Sequence, residues 1–179
     1  MPVDIKRSDF SIKLADILNF AKKLRESILS NEKDNSNINI QKEIYSMPMN
    51  LIINFHIDLA HLALGLTLNK DLKDVMLNDL IMILNRMSDI AIFLDIDLIA
   101  EVQEIQVTAP EVILNSLFNN VSMLNYKKTT SRIKMINRIM PLFVELVYNL
   151  GFTTDELEEA HHKNMDNNIL ELEQGIWKN

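Results

Sequence analysis

No cysteine occurs in the 179 residues of this chain, only three glycines and four prolines punctuate it, and aromatic side chains make up 6%. Without cysteine there is no disulfide framework, no thiolate nucleophile and no sulfur-ligated zinc site, and the composition suits a reducing compartment. Few aromatics leave Leu, Ile, Met, Val and Ala to fill the core. With so little glycine and proline, that is the palette of packed helices rather than of a sandwich or barrel. Positive charge is scarce too: 18 Lys and Arg stand against 25 Asp and Glu, for a net charge of -7. A duplex or a membrane phosphate surface is repelled by that balance. The one dense basic cluster, Lys127, Lys128, Arg132 and Lys134, lacks the interleaved aromatics of a nucleic-acid footprint. Neither nucleic acid nor membrane is expected as a partner. The N-terminal MPVDIKRSDF has no apolar targeting core, and the apolar runs are broken by Asn, Asp or His before membrane length. A soluble, cytoplasmic protein is expected.

What is plentiful is apolar residues, 47% of the chain, enough to bury a core as a single domain over 1–179. From Ser11 to Ile28 apolar residues recur near a 3.6-residue period, with Lys13, Asp16, Lys22, Lys23 and Arg25 elsewhere, which predicts an amphipathic N-terminal helix within 1–30. Residues 31–46 are polar and Asn-rich, a connector. The span 47–107 predicts a first helical hairpin. Pro48 to Leu68 is apolar around most of its circumference, Asn69 or Asp71 marks a turn, and a second helix runs from about Leu72 to Leu94. The span 108–179 predicts a second hairpin and a last helix: Glu111 to Tyr126 with Pro110 at its start, Ser131 to Asn149 interrupted or kinked at Pro141, and Thr153 to Leu172. Thr153 and Glu156 have capping-box spacing, with Asp155 adding favourable charge at the helix start. Pro48–Asp97 and Pro110–Thr153 repeat one order of proline, helix, turn and helix, consistent with duplication. The expected fold is all-α, a four-helix core of two hairpins flanked by N- and C-terminal helices.

The stretch Leu150 to Asn167, LGFTTDELEEAHHKNMDN, joins a Leu-Gly turn, an acidic helix start and a Lys163-Asn164-x-x-Asn167 tail. It resembles the last helix of the all-α nucleotide pyrophosphohydrolases, the group holding MazG-type enzymes, the dimeric dUTPases and phage dCTPases. The resemblance implies that Lys163, Asn164 and Asn167 contact phosphate. It also implies a Mg²⁺ site of acidic pairs, ExxE on one helix and ExxD on the next, where clustered carboxylates suit a hard, oxygen-loving dication.

The chain departs from that pattern where the chemistry belongs. Counting back from Leu150-Gly151, the acid positions fall near Met135 and Arg138, and the matching region of the preceding helix offers Asn115, Ser116, Asn119 and Asn120. Ala21 stands where the family presents a base-reading glutamine, and Leu170 and Glu171 replace Arg-Gln in the tail. Within the first hairpin, Asp58, His61 and Asp79 form an alternative metal set, and His56 and His61 also read as hydrogen-bonded histidines of a crowded bundle. His161 and His162 are adjacent, so their rings diverge on a helix. There is no Gly-rich phosphate loop, HExxH or nucleophile elbow.

Three functions stay open. One is a catalytically degenerate pyrophosphohydrolase-like protein serving as a binding or regulatory module for a nucleotide or a protein, with no cofactor expected. Another is an active Mg²⁺-dependent dUTP/dCTP-type pyrophosphatase with relocated ligands, and the third an unrelated helical interaction protein. The apolar breadth of Leu51–Leu68 and Leu72–Leu94 exceeds what one four-helix layer hides. With the resemblance, it predicts a homodimer.

Overall fold

The computed structural model describes residues 16, 17, 19, 23, 39–68, 73–94, 96, 107–125 and 129–173, with the side chains of 39–49, 125, 129–131 and 165–173 outside the description. It is an all-α bundle. Five helices follow in order: α1 (Asn39–Leu68), α2 (Lys73–Leu94), α3 (Pro110–Ser122), α4 (Thr129–Asn149) and α5 (Thr154–Glu173), with one 3-10 turn (Met123–Asn125) after α3. No strand occurs among the described residues. Asp16, Ile17, Asn19 and Lys23 are helical as well, Ile17 buried and Asp16 and Lys23 exposed, in keeping with the amphipathic reading at those positions. Ala21, Lys127 and Lys128 lie outside the described residues, as do 31–38 of the connector and 97–106 of the first hairpin.

Two hairpins, α1 with α2 and α3 with α4, pack face to face through α1 against α3 and α2 against α4, and α5 lies on α2. His56 meets Ser122 while Leu51 and Ile52 stand beside Leu124, so α1 and α3 run antiparallel. Lys73 meets Glu156 and, further along, Asn85 meets Asn164, so α2 and α5 run parallel. One continuous core results. Phe55, Leu59 and Leu62 of α1 interlock with Leu80, Ile83, Leu84 and Met87 of α2, and Leu117 and Val121 of α3 with Ile139, Phe143 and Val144 of α4, all without exposed surface.

The helix ends follow local chemistry. Ala109 is extended and Pro110 occupies the first turn of α3, where its missing N–H loses nothing. At the end of α4, Gly151 adopts φ +78°, its N–H bonds the Tyr148 carbonyl at 3.0 Å and the Phe152 N–H bonds Val147 at 3.2 Å, a Schellman stop with Phe152 tucked inside. Two residues later α5 opens with the capping box: the Glu156 N–H donates to Thr153 Oγ1 at 3.1 Å and Thr153 N–H to Glu156 Oε2 at 2.8 Å. Lys73 from α2 pairs with the same Glu156 and sits over the Phe152 ring.

Three expectations are corrected. α1 begins at Asn39 rather than near Pro48, so 39–46 continue the helix where a connector was expected; Gln, Lys and Glu favour helix without leaving an apolar stripe to read. α4 runs through Pro141 as one helix, without the interruption that was one of the two expected outcomes there. The proline removes one backbone bond at a cost of about 3 kcal/mol, but Ile136, Ile139, Met140, Phe143, Val144, Leu146 and Val147 are all fully buried around it. Finally, Asn50–Leu68 is long and apolar enough to cross a membrane by length and composition, with 28% of it buried in the bundle. Asn54, His56, Asp58 and His61 interrupt that run without lowering its mean hydropathy below that of a spanning segment.

Candidate functional site

Polar groups inside a helix bundle gather where two apolar surfaces must share them, because a buried polar atom without a partner costs more than an exposed one. Here the gathering point is α2. From Asp79 to its end the helix is apolar except for Asp79, Asn85, Arg86, Ser88 and Asp89, and all but the half-buried Arg86 are buried. They serve two seams, one toward α1 and one toward α5.

Toward α1, Arg86 Nε donates to Asp58 Oδ2 at 2.9 Å, and its Nη1 lies 3.6 Å from Asp89 Oδ2, one helical turn along. The Asp58 and Arg86 side chains are 14% and 21% exposed, so the pair is screened from most solvent. Asp79 is 9% exposed, and burial raises its carboxyl pKa above the ordinary value; the field of His61 pulls it down and that of Asp58 pushes it up again. The three residues of the alternative metal set, Asp58, His61 and Asp79, thus share one electrostatic neighbourhood. They do not converge on a point: His61 is exposed, Asp58 is held by Arg86, and among the described residues no three His, Cys, Asp or Glu side chains are arranged to hold a metal ion.

His56 answers to the hydrogen-bonded reading. Its Nδ1 donates to the Ile52 carbonyl at 2.8 Å, its Nε2 is 3.0 Å from Ser122 Oγ, and the ring leans on Phe118. The Ser122 hydroxyl also lies 2.9 Å from the Phe118 carbonyl, so its single proton chooses between two acceptors. His61 differs. It faces solvent.

Toward α5, Asn85 Nδ2 donates to Asn164 Oδ1 at 3.4 Å, while Asn85 Oδ1 and His161 Nε2 are buried without a hydrogen bond. His161 is 1% exposed, and burial, with the adjacent His162, lowers its pKa to about 4. His162 is exposed and turned 69° from it, with Glu158 3.8 Å away, so the two rings diverge as expected. Of the phosphate candidates, Lys163 is exposed and Asn164 is half-buried in this seam. Asn167 belongs to α5, with its side chain outside the described residues.

The magnesium site that the resemblance implies does not fit the residues present. Met135 is half-buried and Arg138 exposed. On α3, Ser116 Oγ donates to the Val112 carbonyl at 3.1 Å and Asn120 Nδ2 to the Ser116 carbonyl at 2.8 Å, so both are spent on their own helix. No carboxylate stands at any of these positions, and a hard dication takes anionic oxygens.

Sequence reasoning passed over Arg86, Asp89, Asn85 and the burial of His161. The readable signal was the cluster of polar residues three and four apart within an otherwise apolar α2. Such spacing puts them on faces that neighbouring helices must cover. Comparison with protein-family models, with curated proteins and with solved structures finds no match for this chain.

Proposed function

We propose that this chain is a helical binding or regulatory module, built on the plan of the all-α nucleotide pyrophosphohydrolases, whose metal-dependent hydrolytic site is lost. The observation that carries the reading is Arg86. An active enzyme with relocated ligands needs Asp58 for its metal, and Asp58 is 2.9 Å from a guanidinium that supplies the positive charge internally. A second cation there meets repulsion. Lys163, exposed beside Asn164 on α5, supports contact with the phosphates of a nucleotide. The cysteine-free composition is in keeping with work in the cytoplasm.

Calorimetry with dUTP and dCTP, with and without Mg²⁺ or Mn²⁺, tests this. Nucleotide binding independent of metal, no binding of either metal alone and no released pyrophosphate are expected, and Lys163→Ala should weaken the nucleotide without moving the melting temperature. Pyrophosphate release that Asp58→Asn abolishes overturns the proposal. A helical interaction protein of separate ancestry is the second reading, favoured by the bare apolar face of α1.

A further inference from the structure

An α-helix that crosses a bundle once needs one apolar face, and α1 has two. Its inner face, Leu51, Ile52, Phe55, Leu59 and Leu62, is buried against α2 and α3. Its outer face carries Ile53, Ile57, Leu64 and Leu68, exposed by 48%, 48%, 57% and 70%, with exposed Ala60 between them. Steps of four, three, four and four residues keep all five on one stripe.

We propose that two copies of this chain associate through the outer face of α1, crossing antiparallel about a two-fold axis near Ala60. The order of residues carries this. Ile57 and Leu64 lie symmetrically about Ala60 and His61, and so do Ile53 and Leu68. A two-fold axis there sets Ile57 against Leu64 and Ile53 against Leu68 of the other copy, the self-complementarity that an isologous interface requires. Ala60, smallest of the five, sits where the two backbones approach most closely.

Charge and area agree. Asp58 is the only charged residue from Asn50 to Leu68, and Arg86 holds it, so the stripe is a gap in the surface charge of a molecule that carries -7 overall. Two copies meet there with the least repulsion. A lipid surface fits worse: helices that lie on membranes carry Lys and Arg beside the apolar face, whereas α1 has no basic residue in its last turn. The exposed apolar area of the patch is on the order of 500 Å², at the upper end for monomeric proteins. With Asn54, His61 and Thr67 as rim it approaches the roughly 800 Å² that each partner gives a standard interface. The proposal is independent of nucleotide binding and of ancestry, and stands or falls apart from them.

Sedimentation of the full chain from low to high micromolar concentration should give twice the 20.7 kDa of one copy. The double variant Ile57→Glu/Leu64→Glu, at exposed positions, should sediment as a monomer with helicity and melting retained and association weakened at least tenfold. Val75→Glu, off the stripe on α2, should leave the dimer intact. Because the chain has no cysteine, Ala60→Cys alone reports the geometry even if the charged variants unfold: mild oxidation should cross-link two copies through Ala60→Cys and not through Val75→Cys. A wild-type chain that stays monomeric, a dimer that survives the double substitution folded, or no cross-link from Ala60→Cys overturns the proposal. So does a monomeric chain that floats with phosphatidylcholine/phosphatidylglycerol vesicles and loses this through the double substitution.

Discussion

Acidification should remove stability from this protein through His161, and the size of the effect follows from its burial. The imidazole is 1% exposed, its Nε2 meets no partner, and burial holds its pKa at about 4 instead of 6.5. Above pH 6.5 the ring is neutral in folded and unfolded chains alike and contributes no pH dependence. Below it the unfolded chain takes up a proton that the folded chain refuses until about pH 4, so stability declines with falling pH across that window. The loss is about 1.4 kcal/mol per pH unit, hence about 2 kcal/mol at pH 5 and about 3 kcal/mol once the window is crossed. His161→Leu removes both the titration and the stranded nitrogen, and at pH 7 it should match the wild type or exceed it by about 1 kcal/mol. Urea unfolding of both proteins at pH 7, 6 and 5 measures the difference, in which the titration of every other group cancels. The variant's advantage should grow by about 2 kcal/mol from pH 7 to pH 5. A difference that stays flat over this range refutes the reasoning, and would mean that the seam between α2 and α5 admits water to the ring.

Thr153→Ala removes the hydroxyl that caps α5 and should cost about 1 kcal/mol, seen as a drop in melting temperature of about 2–4 °C. Gly151→Ala meets no neighbour within 4 Å but must hold φ +78°, so a loss of about 1–2 kcal/mol in urea unfolding is expected from backbone strain alone. Glu156 has its pKa lowered by the hydrogen bond from Lys73 and then by the Thr153 backbone. Its contribution is therefore present above the ordinary carboxylate pKa and lost as pH falls below it, and Lys73→Met should flatten that part of the acid limb. Arg86→Gln takes its guanidinium away from the mostly buried Asp58 and should destabilise by about 3 kcal/mol. Adding Asp58→Asn should recover part of that loss in a double-mutant cycle, and equal, additive losses would show that the pair does not interact.

Much of the local structure was legible in the residues. The spacing of Leu80, Leu84, Met87 and Leu94 placed α2 to within a residue of its start although Val75, expected inward, is exposed; Pro110 marked the first turn of α3 and Thr153 with Glu156 announced the cap of α5, because each of these depends on neighbours three or four positions away. What was not legible depends on partners far along the chain. Asp58 finds Arg86 28 residues on, and Asn85 finds Asn164 after 79. No periodicity encodes which of several inward polar residues will meet, so Asp58, His61 and Asp79 read as potential ligands. In the folded chain one is salt-bridged, one is exposed and one is buried with a raised pKa.

The apolar surplus teaches the complementary lesson. α1 and α2 looked alike as sequences, each too apolar for one layer, yet their surpluses have different fates. α2 packs against α1, α4 and α5 and from Asp79 on buries most of its circumference, with Asp79, Asn85, Ser88 and Asp89 drawn inward. Among the described elements α1 packs against α2, α3 and the 3-10 turn, and its stripe from Ile53 to Leu68 remains in contact with water. Hydrophobic excess by itself therefore distinguishes neither a central helix from an interface helix nor an interface from a membrane span. The decision comes from the number of neighbours each helix has and from the charge around the bare face. In the interior Asp58, Arg86 and Ser88 are committed to holding the helices, while Asn85 Oδ1 and His161 Nε2 stay without a hydrogen bond. Among the described residues, Lys163 and the outer stripe of α1 lie exposed at the surface.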